Sequence, residues 1–180
     1  MEHRASEVEQ ARSLVLASQD LGKIIDPKRV VAGGFSFGAA TAGLVAATTK
    51  NYCAAVLIDG WWHIELTKKA KVNQDLPTQV HSRGIAVPTL FVGSTEFSEL
   101  NALNRATKNV QAKCPTKEIH VLPGTRHGNY MDAVFWFPAF VTQRFGFAGP
   151  AHVHTTYAHF VRTIADFVDR HAASTEKKNA

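Results

Sequence analysis

Residues 29–39 read RVVAGGFSFGA and contain Gly34-Phe35-Ser36-Phe37-Gly38, a complete G-x-S-x-G. That spacing is the signature of a sharp strand-to-helix turn that lifts a serine hydroxyl out of the fold as a nucleophile. The flanking glycines matter because a β-carbon at either position would separate strand from helix where they nearly touch. A serine hydroxyl is a weak nucleophile until a base takes its proton, and the base needs an acid to fix its tautomer. His127, in the turn-rich stretch Pro123-Gly124-Thr125-Arg126-His127-Gly128-Asn129, is the candidate base. Two carboxylates compete for the third role. Asp59 ends the apolar run YCAAVLID, and Glu96 lies just past the run VPTLFVG. Topology alone leaves the two open. The amide of Phe37, directly after the serine, is the expected first oxyanion donor.

These groups need elements to hold them at one edge of a sheet. The valines before the elbow read as a first strand, residues 29–33, entered from Pro27, and the small-residue segment AATAGLVAATT as a closely packing helix. Residues 52–59 read as a strand covered on both faces, residues 87–93 as a third strand, and residues 117–122 as a fourth. Helices are expected over residues 6–21, with Ser6 and Glu9 as a capping box, over residues 100–113, and over residues 155–171. Residues 68–84 read as polar loop with at most one helical turn, and the tail from Ala172 as frayed. The rhythm is that of an α/β protein with a mainly parallel sheet flanked by helices, organised as a single domain over residues 1–180. With the elbow, it predicts the α/β-hydrolase fold, in which serine, acid and histidine follow in that order along the chain.

Composition narrows the function. The chain has 180 residues, 45% of them hydrophobic and 19% charged, with a net charge of +5. No basic stripe interleaved with aromatics is present, which argues against nucleic-acid binding. Attraction to an anionic membrane surface remains compatible with the charge. Cys53 and Cys114 are the only cysteines. Neither has metal-ligand spacing, and Cys53 reads as a buried thiol. The pair His152 and His154 lacks an evident third ligand, so no metal and no cofactor are expected. The other histidines, His63 and His81 among them, read as surface or structural residues. No run approaches the about 18 apolar residues of a membrane span, and the first ten residues hold no apolar leader. The expected location is cytoplasmic, with secretion open if an amino-terminal part precedes the chain.

Four blocks in order, GGFSFGAATAG, AAVLIDGWWHIEL, PTLFVGSTEFSE and PGTRHGNYMD, resemble the platelet-activating factor acetylhydrolases of the plasma and intracellular type II family. The resemblance runs from about Glu7 to the final helix. It implies Ser36 as nucleophile in a G-x-S-F-G elbow, Asp59 as acid in Ile58-Asp59-Gly60-Trp61, and His127 as base in a G-x-x-H block. It thereby favours Asp59 over Glu96. It also implies calcium-independent hydrolysis of a short or oxidised sn-2 acyl group from a phospholipid, with contact to membrane or lipoprotein surfaces. Trp61, Trp62 and the aromatic segment 134–147 are the candidate substrate-binding rings, and packing in the core is the competing reading for them. Other readings stay open: an esterase for small or polymeric esters, or an incomplete, inactive hydrolase. In whole α/β-hydrolases several strands precede the elbow and supply a second oxyanion donor, whereas here only a helix precedes it. The chain therefore resembles the carboxyl-terminal part of the fold. The elbow strand is expected at a sheet edge, open to self-association.

Overall fold

A computed structural model describes residues 1–66 and 72–172. Helix α1 (Glu2–Ala17) leads to strand β1 (Val31–Phe35), helix α2 (Phe37–Thr48) and strand β2 (Ala54–Ile58). A hairpin of β3 (His63–Leu66) and β4 (Val72–Asp75) follows, then α3 (Thr78–Arg83), β5 (Thr89–Ser94), α4 (Thr95–Glu99), α5 (Asn101–Ala112) and β6 (Lys117–Leu122). A 3₁₀ turn (His127–Tyr130), two short helices, α6 (Ala133–Trp136) and α7 (Ala139–Arg144), and the long helix α8 (Val153–Ala172) complete the chain.

The main sheet has four parallel strands in the order β1-β2-β5-β6. Its centre follows from composition: β2 and β5 carry the continuous apolar runs and are buried on both faces. One face packs on α2, α3 and α5 around Leu44, Val45, Leu57, Trp62, Ile85, Phe91 and Val110. The other packs on α8 through Val56, Leu90, Val92, Phe160 and Phe167. Two ties hold the end of α8. Arg29 Nε donates to the Ala172 carbonyl. Arg170 bonds both oxygens of Glu118, at 2.8 and 2.7 Å, and these bonds hold the Glu118 carboxyl below its ordinary range.

Several expectations shift. The first strand begins two residues later than expected and runs to Phe35, into the elbow itself. Helix α1 begins near the chain start, so Ser6 lies inside it and accepts from Gln10 Nε2 at 3.3 Å instead of capping it. The helix buries none of its residues. It is tied to the body through Glu9, which accepts from Asn51 Nδ2 at 2.7 Å and from the Tyr52 hydroxyl at 2.6 Å. It is also tied through Glu2, which accepts from Gln79 Nε2 at 2.8 Å, while Ala5 packs against the core. Burial, then the Glu9 contact, pushes the Tyr52 hydroxyl up. The stretch read as polar loop holds strand β4 and helix α3, because the cross-strand pairs of β3 and β4 satisfy a backbone that local pattern left unassigned. Residues 68–71 of that stretch, and the tail 173–180, lie outside the described residues. Cys114 is the buried thiol, while Cys53 is only half-buried.

Strand β1 pairs with β2 on one side, and among the described residues no strand pairs with its other edge. Ser36 N–H donates across to Ile58 at 2.9 Å, so strand alternation turns the Gly33 and Phe35 amides outward. Beside this edge, between α1 and α2, runs a groove of about 760 Å³ lined by Val8, Val15, Ala32, Gly33, Thr41 and Val45. An open apolar edge of this kind templates pairing with another chain. The chain is expected to self-associate, with sedimentation showing species heavier than the 19.7 kDa monomer. A β-carbon at Gly33 would meet nothing nearer than the Val56 carbonyl oxygen at 4.0 Å, so Gly33→Lys fits and should shift the distribution towards monomer. A wild-type chain sedimenting only as monomer would contradict this expectation.

Candidate active site

The carboxyl ends of β1, β2, β5 and β6 converge on the site. At the first of these, a β-carbon on Gly34 would stand 2.2 Å from the Gly38 carbonyl oxygen, so only glycine fits there. A β-carbon on Gly38 would meet nothing within 4 Å, so the expectation that both flanking glycines are required holds for Gly34 alone. Between them Ser36 has φ 59 and ψ −123, well outside the regions open to ordinary residues. Strain of this kind costs about 1–3 kcal/mol and persists only where the surroundings enforce it. Here Ser36 N–H bonds Ile58, and its carbonyl accepts from Trp61 N–H at 3.2 Å. The side chain is thereby aimed out of the sheet.

Asp59 directly follows β2 and also has a positive φ, 43. It is 2% exposed, and a carboxylate so buried needs strong partners. Its Oδ1 accepts from Ser94 N–H at 2.6 Å, and its Oδ2 accepts from His127 Nδ1–H at 3.0 Å. With its proton on Nδ1, the neutral imidazole presents a bare Nε2 to the Ser36 hydroxyl, which donates to it at 3.0 Å. Ser36, His127 and Asp59 thus form one continuous hydrogen-bonded chain.

Glu96, the competing acid, is not on the imidazole. Its Oε2 accepts from the His127 backbone N–H at 2.8 Å. The reason is local: Glu96 sits in the first turn of α4, and its own N–H donates to Thr125 at 3.2 Å, which points the side chain along the loop backbone.

The histidine ring is enclosed by rings that sequence reasoning did not single out. Phe35 stacks on one face at 4.4 Å and Phe97 on the other at 4.5 Å, the latter within 4° of parallel. Phe35 occupies the variable position of the elbow before the serine, and Phe97 follows Glu96, so only proximity to motif residues could have flagged them. Tyr130 lies over Phe35, and burial together with the Asp59 charge pushes its hydroxyl up.

The two tryptophans part company. Trp61 stands at the site, edge-on to His127 at 5.9 Å and stacked on Phe37 at 6.1 Å. Trp62 points the other way and is 1% exposed, packed so tightly against α2 that a β-carbon on Gly43 would stand 2.8 Å from its ring. Consecutive residues leave the turn on opposite sides, so Trp62, also expected to bind substrate, packs in the core, where it lines a cavity of about 300 Å³ with Asp59, Ser94 and Phe97. His63, next along, is also buried and donates from Nδ1 to Asp75 at 2.8 Å across the hairpin. The aromatic segment is exposed rather than core: Trp136 is 76% exposed, Phe140 74% and Phe145 82%. Phe37 begins α2, where first-turn amides have no intrahelical acceptor, so its N–H is free to meet an anion at the positive end of the helix. Among the described residues no group of three ligating side chains is placed to hold a metal, and no helix is long and apolar enough to cross a membrane.

The family model for platelet-activating factor acetylhydrolase, isoform II, matches residues 5–179. The chain belongs to that family. A search of curated proteins gives no match. Among solved structures the chain is similar to the ferulic acid esterase of Streptomyces cinnamoneus, at 20% identity and a TM-score of 0.72, covering 99% of this chain and 51% of the esterase. It is also similar to a Klebsiella pneumoniae protein assigned as a dienelactone hydrolase, at 18% identity and a TM-score of 0.58, covering 91% and 59%. These likenesses establish the α/β-hydrolase fold. The acetylhydrolase-family chain spans about half the length of the esterase it matches.

Trp62→Ala is expected to destabilise the fold by about 3–5 kcal/mol in denaturant titration, the cost of deleting a large buried ring. Trp61→Ala, which removes a partly buried ring, should cost less. The reverse ranking would overturn the placement of the two rings.

Proposed function

We propose that this chain is a serine esterase that cleaves a carboxylic ester through an acyl-serine intermediate. The observation that carries the reading is the unbroken path from Ser36 Oγ through His127 to Asp59, with 3.0 Å at each link. His127 Nε2 takes the hydroxyl proton as Ser36 Oγ attacks the ester carbonyl. Asp59 holds the tautomer and balances the imidazolium that forms. The Phe37 amide, at the start of α2, donates to the oxyanion. The imidazolium then returns its proton to the departing alcohol. Water, activated by the same nitrogen, releases the acyl group and restores the serine.

For the substrate we infer a phospholipid with a short or oxidised sn-2 acyl group, as the family resemblance suggests. Two features support it. Trp61 and Phe37 form an apolar wall beside the serine, suited to a short acyl chain. Trp136, Phe137, Phe140 and Phe145 expose a shelf of rings suited to a lipid surface. The shelf returns to the histidine loop where Arg126 Nη1 donates to Gly146 at 2.9 Å. A small soluble or polymeric ester is the competing substrate class, in keeping with the likeness to the Streptomyces ferulic acid esterase.

A fluorophosphonate probe should label Ser36 and lose its target in Ser36→Ala. Labelling at Ser94 or Ser98 instead would end the assignment. Asp59→Asn should lower kcat by about 10⁴, since an amide favours the wrong tautomer. Hydrolysis of short-chain phospholipid in liposomes, measured against a p-nitrophenyl ester in solution, decides the substrate class. A rate confined to the soluble ester would set the lipid reading aside.

A further inference from the structure

Residues 94–97 make contacts that the proposed chemistry leaves unexplained. The Ser94 amide holds Asp59 Oδ1, and Ser94 Oγ accepts from Phe97 N–H at 3.1 Å, closing the first turn of α4. Two residues on, Glu96 Oε2 accepts from the His127 amide. Phe97 lies flat against the His127 ring. One turn of chain therefore touches the acid, the backbone of the base and the ring of the base.

Resting on the esterase reading, we propose that Glu96 and Phe97 are positioning residues that set the imidazole in register with Ser36. His127 belongs to a loop, and two side-chain torsions separate its Nε2 from the backbone. Each freedom meets a restraint. The charge-assisted bond from Glu96 fixes the backbone amide, and such bonds are roughly twice as strong as neutral ones. Phe97 and Phe35, at 4.5 and 4.4 Å, form a slot that admits the ring edge-first. Rotation about Cβ–Cγ would drive the ring edge into a phenyl face, so Nε2 stays in the plane that contains Ser36 Oγ. Glu96 is thus an acceptor for a main-chain amide, and its function requires an oxygen at that point.

The test is a variant series in the full chain, with thermal unfolding as a check on folding. Glu96→Gln retains an acceptor oxygen and should keep kcat within about fivefold, whereas Glu96→Ala should lower it about 10–100-fold with KM little changed, the scale of a 1 Å misplacement. Phe97→Leu opens the slot and should show the same split. An activity-independent readout is the His127 backbone amide in ¹H–¹⁵N spectra. It should be shifted downfield and slow to exchange in the wild type and in Glu96→Gln, and lose both properties in Glu96→Ala. Loss of activity in Glu96→Gln equal to that in Glu96→Ala, or an amide signal indifferent to Glu96→Ala, would overturn the proposal. If the wild type neither reacts with fluorophosphonate nor cleaves ester, the esterase reading falls. The amide signal then still decides whether Glu96 positions His127.

Discussion

A carboxylate at the floor of a packed sheet is the constraint on which the site rests. Asp59 is almost wholly buried, and an ionised group there is tolerable only if its oxygens find donors. Each oxygen has one, and the two donors come from different strands' ends: Ser94 N–H after β5 and His127 Nδ1–H after β6. The order of the sheet supplies both, because β2 lies beside β5, and β5 beside β6. The demand for donors also explains the positive φ at Asp59, which turns the side chain back across the strand ends rather than along β2. The imidazole's tautomer is a consequence of the same bond. The charge of the acid is therefore what organises both the loop carrying the base and the proton acceptor facing Ser36.

The elbow solves the complementary problem of holding an unfavourable backbone. Ser36 is strained, and what enforces it is close packing on both sides rather than any one strong bond. Gly34 meets Gly38 at a distance no β-carbon allows, and α2 presents Ala39, Ala40, Ala42, Gly43 and Ala46 to the sheet. A helix of such small residues approaches closely, and Trp62 fills the space left above Gly43. The large ring next to the site thus serves the packing that keeps the serine turn in place, which is why its neighbour Trp61 is left to face the chemistry.

Much of this was legible in the sequence, and the legible parts share a physical cause. Continuous apolar runs mark doubly covered strands, so β2 and β5 stood out, and the glycine spacing around Ser36 has few other uses. The place of His127 followed from a strand end, whereas strand ends left Asp59 and Glu96 open and the family resemblance favoured Asp59. Periodicity could not resolve which of two consecutive tryptophans turns inward, because that depends on a turn whose geometry is set by Asp59. The β3–β4 hairpin was missed because its strands are short and polar, and their stability comes from each other. The aromatic segment misled in a different way. Ring-rich sequence ordinarily means core, yet here α6 and α7 are too short to present one face inward and keep the other wet. The stacking of Phe35 and Phe97 on the base left no pattern, since it joins residues far apart in the chain.

The exposed rings contribute little to folding, and this bears on the proposed substrate. Burying a large apolar side chain is worth about 1.5–3 kcal/mol relative to leaving it in water. Trp136, Phe140 and Phe145 forgo most of that gain in the isolated chain. An apolar phase placed against α6 and α7 would restore it, several rings at once, without any change in the fold. Such a surface lies a few residues from His127 along the chain and is tied back to its loop through Arg126 and Gly146. An ester delivered from a lipid surface would then arrive beside the wall of Trp61 and Phe37, where a short acyl chain finds apolar contact and the Phe37 amide is at hand for the oxyanion. A freely diffusing ester has no need of the shelf. The free energy left unused on α6 and α7 is thus the physical argument for an interfacial substrate over a soluble one.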